Sequence, residues 1–144
     1  MNIYLDNCCY GRYLDDLSIG NNQKELEAIS YILLLCDIGT YNLGCSDVSW
    51  YEAGKNSNPY KKQFYHNMLE RASFRITITE AIINRAKTFE NNIRKFDSRH
   101  LAAAETQCEL FFTVDEDFNK KAQKLDRLNI GVYNPLYWVR TKYR

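Results

Sequence analysis

Glycine and proline are scarce in this chain, at six and two residues of 144, which leaves little room for linkers or low-complexity segments. No internal repeat is visible, and the length suits one domain over residues 1–144. An excess of one charge is lacking too. Nineteen basic and 18 acidic side chains give a net charge of +1, which excludes a polycation that grips nucleic acid by bulk electrostatics alone. The longest apolar run, Ile29 to Cys36 with Ser30 inside it, is too short to span a bilayer. No membrane association is expected. Asp6 interrupts the N-terminus before the apolar stretch of a signal peptide can form.

The five cysteines (Cys8, Cys9, Cys36, Cys45 and Cys108) contain no CxxC pair. An odd, unpatterned set fits free thiols in a reducing cytoplasm. Neighbouring Cys8 and Cys9 read first as small packing residues, with a redox or metal site as the sharper alternative. His66 and His100 are too few and too scattered to build a zinc site by themselves. The first strand-to-helix turn lacks GxGxxG, and no phosphate loop, HExxH or GxSxG occurs. Position 8 is Cys8, where aspartyl phosphotransferases need a second Asp.

A hydrophobic fraction of 45% and a charged fraction of 26% remain, as in an ordinary globular protein. Ile3 to Leu5 reads as a buried strand, and residues 7–21 as an irregular turn region. Gln23 to Asp37 shows helical spacing through Leu26, Ile29, Ser30, Leu33 and Leu34. Asn42 to Ser46 is a second strand, after which Ser46 or Asp47 caps a helix running through Glu52 toward Lys55. Asn58-Pro59 opens another helix. Phe74 to Thr79 alternates like a strand with one wet face. Helices follow at Glu80 to Asn91 and, begun by Asp97, at Ser98 to Thr106. Leu110 to Val114 is a strand, Glu116 to Leu128 a helix with its lysines outward, and Ile130 to Tyr133 a last strand. Strands alternating with helices predict an α/β fold, a three-layer sandwich around a mainly parallel sheet of four to five strands.

In such a sheet the strand-to-helix turns share one edge, where ligands bind. Asp6 closes the first strand, Asp115 follows the Leu110–Val114 strand, and Asp97 and Glu52 stand at comparable junctions. Four acids at one edge repel each other unless cations enter, which points to hard, oxygen-preferring ions such as Mg²⁺ or Mn²⁺. Taken singly, Asp97 also reads as a helix cap and Glu52 as a solvated charge. Two basic groups, Lys120, Lys121, Lys124 and Arg127 and then Arg140, Lys142 and Arg144, read as solvated faces or as a surface for phosphate backbone. Arg12 and Arg99 read as surface charges or receivers of flanking phosphates. The tyrosines and phenylalanines read as core rather than as stacking platforms.

The blocks Ile3-Tyr4-Leu5-Asp6-Asn7, Asp97-Ser98-Arg99-His100-Leu101-Ala102-Ala103-Ala104 and Phe112-Thr113-Val114-Asp115-Glu116-Asp117-Phe118 resemble, in order and spacing, the signature blocks of PIN-domain nucleases. Within that family the chain is most similar to VapC-type toxins of bacterial toxin–antitoxin pairs. The resemblance implies that Asp6, Asp97 and Asp115 bind Mg²⁺ or Mn²⁺, with Glu52 as the fourth catalytic acid. Glu25 and Glu27 match that fourth position less well. Asn7 fits the small polar residue after the first acid, and Thr113 the hydroxyl that orients Asp115. Asp117 reads as an auxiliary acid or a plain helix start, and His100 as a packing or supporting residue rather than a catalytic base. The resemblance further implies RNA phosphodiester hydrolysis, an antitoxin partner and a homodimer. The alternative is a weakly active or inactive module on the same fold that binds RNA or serves assembly.

Overall fold

The computed structural model describes residues 1–142; Arg144, counted above with the C-terminal basic group, lies outside them. Five strands are present: β1 (Asn2–Leu5), β2 (Asn42–Ser46), β3 (Phe74–Ile76), β4 (Leu110–Phe112) and β5 (Gly131–Tyr133). They form one sheet in the order β3-β2-β1-β4-β5, and every pairing is parallel. The register sets Ile3 beside Leu43 on one side and Leu110 on the other. The carboxyl ends of β1, β2 and β4 therefore meet along one edge.

The helices are α1 (Asn7–Gly11), α2 (Asn22–Asp37), α3 (Asp47–Gly54), α4 (Pro59–Leu69), α5 (Glu80–Lys87), α6 (Lys95–Gln107), α7 (Glu116–Gln123) and α8 (Pro135–Lys142), with a 3-10 turn at Arg12–Leu14. Side chains alternate across β1. Ile3 and Leu5 join a core with Ile29, Ile32, Leu33, Leu69 and Trp138 from α2, α4 and α8. Tyr4, on the opposite face, joins Ile82, Phe89, Leu101, Phe111 and Phe118 around α5, α6 and α7. The result is the three-layer α/β sandwich that the sequence pattern predicts. Each fully buried large apolar side chain contributes about 1.5–3 kcal/mol. Three of them on β1 hold a four-residue strand in place.

Several element boundaries differ from the expectation. Residues 7–21 are not wholly irregular, because α1 and the 3-10 turn begin directly after β1. On α2 the buried face is Glu25, Ala28, Ile29, Ile32, Leu33 and Leu35, while Ser30 and Leu34 are exposed. Glu25 turns inward because its carboxylate accepts from Arg12 Nε at 3.1 Å and Asn134 Nδ2 at 2.6 Å. Strand β3 stops at Ile76 and β4 at Phe112. Helix α5 ends at Lys87, where Thr88 Oγ1 donates back to Arg85 O at 2.6 Å. Helix α7 ends at Gln123, and Arg127 further on takes a left-handed φ of 57° that helix cannot hold. Helix α6 starts at Lys95, so Asp97 lies inside its first turn rather than capping it.

Candidate active site

Asp6 leaves β1 with its backbone N–H donating to Phe112 O at 2.9 Å, one step beyond the strand pairing. It occupies the N-cap position of α1, yet its carboxylate makes no capping bond. That side chain, 7% exposed, accepts instead at Oδ2 from Thr113 Oγ1 at 2.9 Å and from the Cys8 thiol at 3.3 Å. Thr113 is fully buried and its hydroxyl also accepts from Asp115 N at 3.1 Å. Thr113 thus orients the Asp6 carboxylate directly and holds Asp115 through its backbone. Asp115 caps α7, its Oδ1 accepting from Phe118 N at 3.0 Å.

Glu52 comes from α3 and meets His100 Nε2 from α6. His100 is completely buried, with Nδ1 2.6 Å from the Tyr4 hydroxyl. The same hydroxyl lies 2.7 Å from Ser46 Oγ and 2.9 Å from Ser49 Oγ. A consistent arrangement has both serines donating to Tyr4, Tyr4 donating to Nδ1, and Nε2–H donating to Glu52. Buried polar chains of this kind fix a side chain when every member is satisfied. The serines arrive in position because Ser46 caps α3, accepting from Val48 N, while Ser49 accepts from Ser46 N.

Asp6, Glu52 and His100 each offer one ligand atom, all within 4.8 Å of one another. Asp97 shares this environment. Burial pushes its carboxyl up to about 7, helped by the negative charges of Asp6, Glu52 and Asp115 and opposed by His100. Burial also raises Asp6, with His100 pulling the other way and Glu52 adding to the rise. For His100, burial works against the charged ring, but the bond to Glu52 and the charges of Glu52, Asp6 and Asp97 carry its pKa upward. Asp97 thus feels three other acids and one imidazole at this sheet edge. Buried carboxyls raised by burial and by neighbouring acids, as Asp6 and Asp97 are, are a physical signature of a cation site or an acid–base centre.

The remaining candidates fall in different places. Asn7 Nδ2 donates to Ser49 O at 3.0 Å, while its Oδ1 is buried without a partner. It lines a cleft of about 190 Å³ with Cys8, Glu52, Ala53, Asn56 and Tyr65. Asp117 is exposed and pairs with Lys121 at 3.0 Å. Arg12 is committed to Asp15 at 2.6 Å and to Glu25. All five cysteines are free, and among the described residues none belongs to the group of side chains able to hold a metal. Sequence reading missed Tyr4, Ser46 and Ser49. The available signals were a tyrosine two residues before Asp6 in a buried strand, and the Ser-x-x-Ser spacing at a helix start.

No protein-family profile and no curated protein matches the chain. Solved structures do. VapBC2 from Rickettsia felis, bound to a DNA fragment from their promoter, superposes with a TM-score of 0.61 at 14% identity over 93% of this chain and 98% of that one. FitAcB from Neisseria gonorrhoeae gives 0.57 at 18% identity over 92% and 97%. FitAB bound to the IR36 DNA fragment gives 0.55 at 19% identity over 93% and 95%. At these identities the likeness is one of fold, the PIN-like architecture that the sequence blocks imply.

Proposed function

We propose that this PIN-like chain is a divalent-metal-dependent ribonuclease, hydrolysing RNA phosphodiester bonds as the toxin of a toxin–antitoxin pair. The observation that carries the reading is the grouping of Asp6 and Glu52 with His100 on one half-buried edge, where Asp97 feels the charges of Asp6, Glu52 and Asp115. Asp6, Asp97 and Asp115 supply hard carboxylate oxygens suited to Mg²⁺ or Mn²⁺. Glu52 faces the same space, held there by His100, whose two ring nitrogens are engaged by Glu52 and Tyr4. Asn7 Oδ1, a buried acceptor without a partner, suits a donor such as an ion's hydration water.

A bound divalent ion supplies Lewis-acid chemistry, lowering the pKa of a water and offsetting charge on the phosphate. The chain's part is placement. Thr113 holds Asp6 in one orientation, the Tyr4–His100 chain holds Glu52, and the half-buried edge limits competing water. No Ser or Cys nucleophile is needed, which agrees with the missing GxSxG. Asp117 is left with a structural part on α7. The similar structures are VapBC2 and Fit complexes, which supports an antitoxin as partner in the cytoplasm; a homodimer belongs to the same reading.

Asp6→Asn keeps the shape and removes a ligand charge. RNA cleavage in Mg²⁺ or Mn²⁺ is expected to fall on the order of 10²-fold or more, as when other preorganised electrostatic groups are removed. Cleavage at the wild-type rate by the folded Asp6→Asn chain rejects the proposal.

A further inference from the structure

Beside the acid cluster lies a second chamber built by the same two helices. Tyr51 precedes Glu52 on α3, Phe96 precedes Asp97 on α6, and Arg99 precedes His100. Neighbouring helical residues diverge by about 100°, so one member of each pair enters the acid cluster and the other turns to the flank. There Tyr51, Phe96 and Arg99 line a pocket of about 210 Å³ with Asp47, Val48 and Ile78.

The pocket is aromatic and cationic. The Tyr51 and Phe96 rings lie 5.7 Å apart with a 38° tilt. Lys55 Nζ sits 4.6 Å from the Tyr51 centroid and 5.2 Å from that of Phe96. Arg99 Cζ is 5.9 Å from the Phe96 centroid. Arg99 forms no ion pair among the described residues, and its Nε is buried without a partner. The one acid in the lining, Asp47, is already engaged by Arg75 Nε at 2.7 Å and Ile78 N at 2.9 Å. Tyr51 is 53% exposed, and the two cations beside it, Lys55 and Arg99, rest against aromatic rings with no carboxylate paired to them among the described residues.

We propose that this pocket binds one nucleotide of single-stranded RNA next to the scissile bond: the base stacks on Tyr51 and the flanking phosphate meets Arg99 and Lys55. Stacking on an aromatic face tolerates any base, and a planar guanidinium suits a phosphate. Charge favours RNA over a protein segment here. The acids alone repel a polyanion, and the flanking cations supply the attraction that holds it across the edge.

This inference rests on the ribonuclease reading, and the test separates the two. A short fluorescein-labelled single-stranded RNA is titrated with the full chain in EDTA, so that affinity is read without cleavage, alongside the same RNA carrying one abasic position. Tyr51→Ala is expected to weaken binding about fivefold to a hundredfold, the range for removing one stacking platform. Tyr51→Phe should bind like wild type, Arg99→Gln should weaken binding, and the abasic RNA should lose much of its affinity. Mn²⁺ binding by calorimetry should be unchanged in Tyr51→Ala, which reports a folded chain with an intact acid cluster.

The pocket proposal is overturned if Tyr51→Ala and Arg99→Gln bind RNA as wild type does, or if the abasic RNA binds equally well. It is overturned too if wild type binds no RNA, or if the two variants change only the oligomeric state, which would make this face a contact between copies. Failure of the ribonuclease reading looks different: full cleavage by Asp6→Asn, or no cleavage by wild type.

Discussion

Asp97 carries the most informative charge of the site. Its carboxyl, pushed by burial and by Asp6 from 3.8 to about 7, stays protonated in the folded chain at pH values where the unfolded chain has released the proton. The folded state therefore binds more protons across that window, and stability of the ion-free protein falls as pH rises from about 4 to about 7. Asp6, raised mainly by burial, tilts the curve the same way. Urea unfolding of Asp97→Asn across this range is expected to give a flatter profile than wild type; an unchanged slope contradicts the assignment. The residue also marks a limit of sequence reading. An Asp before Ser98 looks like a cap, and only the actual start of α6 at Lys95 shows that it stands free for other work.

At the scale of elements, α3 matters most, since it delivers both Glu52 and Tyr51. Ser46 caps it and touches Tyr4 as well. Ser46→Ala is expected to lose about 1 kcal/mol from the cap and to lower cleavage, because Tyr4, His100 and Glu52 lose part of their support. Asn58→Ala, at the cap of α4, removes bonds to Tyr60 N and Lys61 N. It should lose a similar amount of stability in denaturant titrations and leave cleavage unchanged. Equal effects of the two variants on cleavage argue against the Tyr4 chain. The strands, and most helices, were legible because apolar runs and Ala-rich or periodic stretches report burial directly. The rotated face of α2 was not, since Glu25 is buried by Arg12 and Asn134, partners that sequence spacing does not reveal. Helix α8 was missed as well: the expected elements end with the strand at Tyr133, whereas Pro135 opens a helix that brings Trp138 into the core.

For the whole molecule, the sheet order β3-β2-β1-β4-β5 puts β1 at the centre and the acids along its carboxyl edge. Alternation and handedness imply only that the strand-to-helix turns share one edge; Asp6, Asp97 and Asp115 were named as a set from the resemblance of their sequence blocks to those of PIN-domain nucleases. The chain from Tyr4 to Glu52 was not, because its members lie 42 to 96 residues apart. A ligand that binds only the folded state stabilises it by about 2.7 kcal/mol at a hundred times its Kd. Mn²⁺ at that level is expected to raise the unfolding midpoint, EDTA to reverse the shift, and Asp6→Asn to show little of it. A shift of full size in Asp6→Asn places the ion elsewhere.

The union of β1 with β4, Ile3 beside Leu110, has a consequence in time. During synthesis the first strand leaves the ribosome with its aspartate long before its neighbour exists, and Thr113 reaches Asp6 only once more than a hundred further residues have been added. Parallel pairings of such long range are slow to form. A half-made chain therefore holds Asp6 without the hydroxyl that orients its carboxylate, and the acid edge is assembled only when elongation is nearly done.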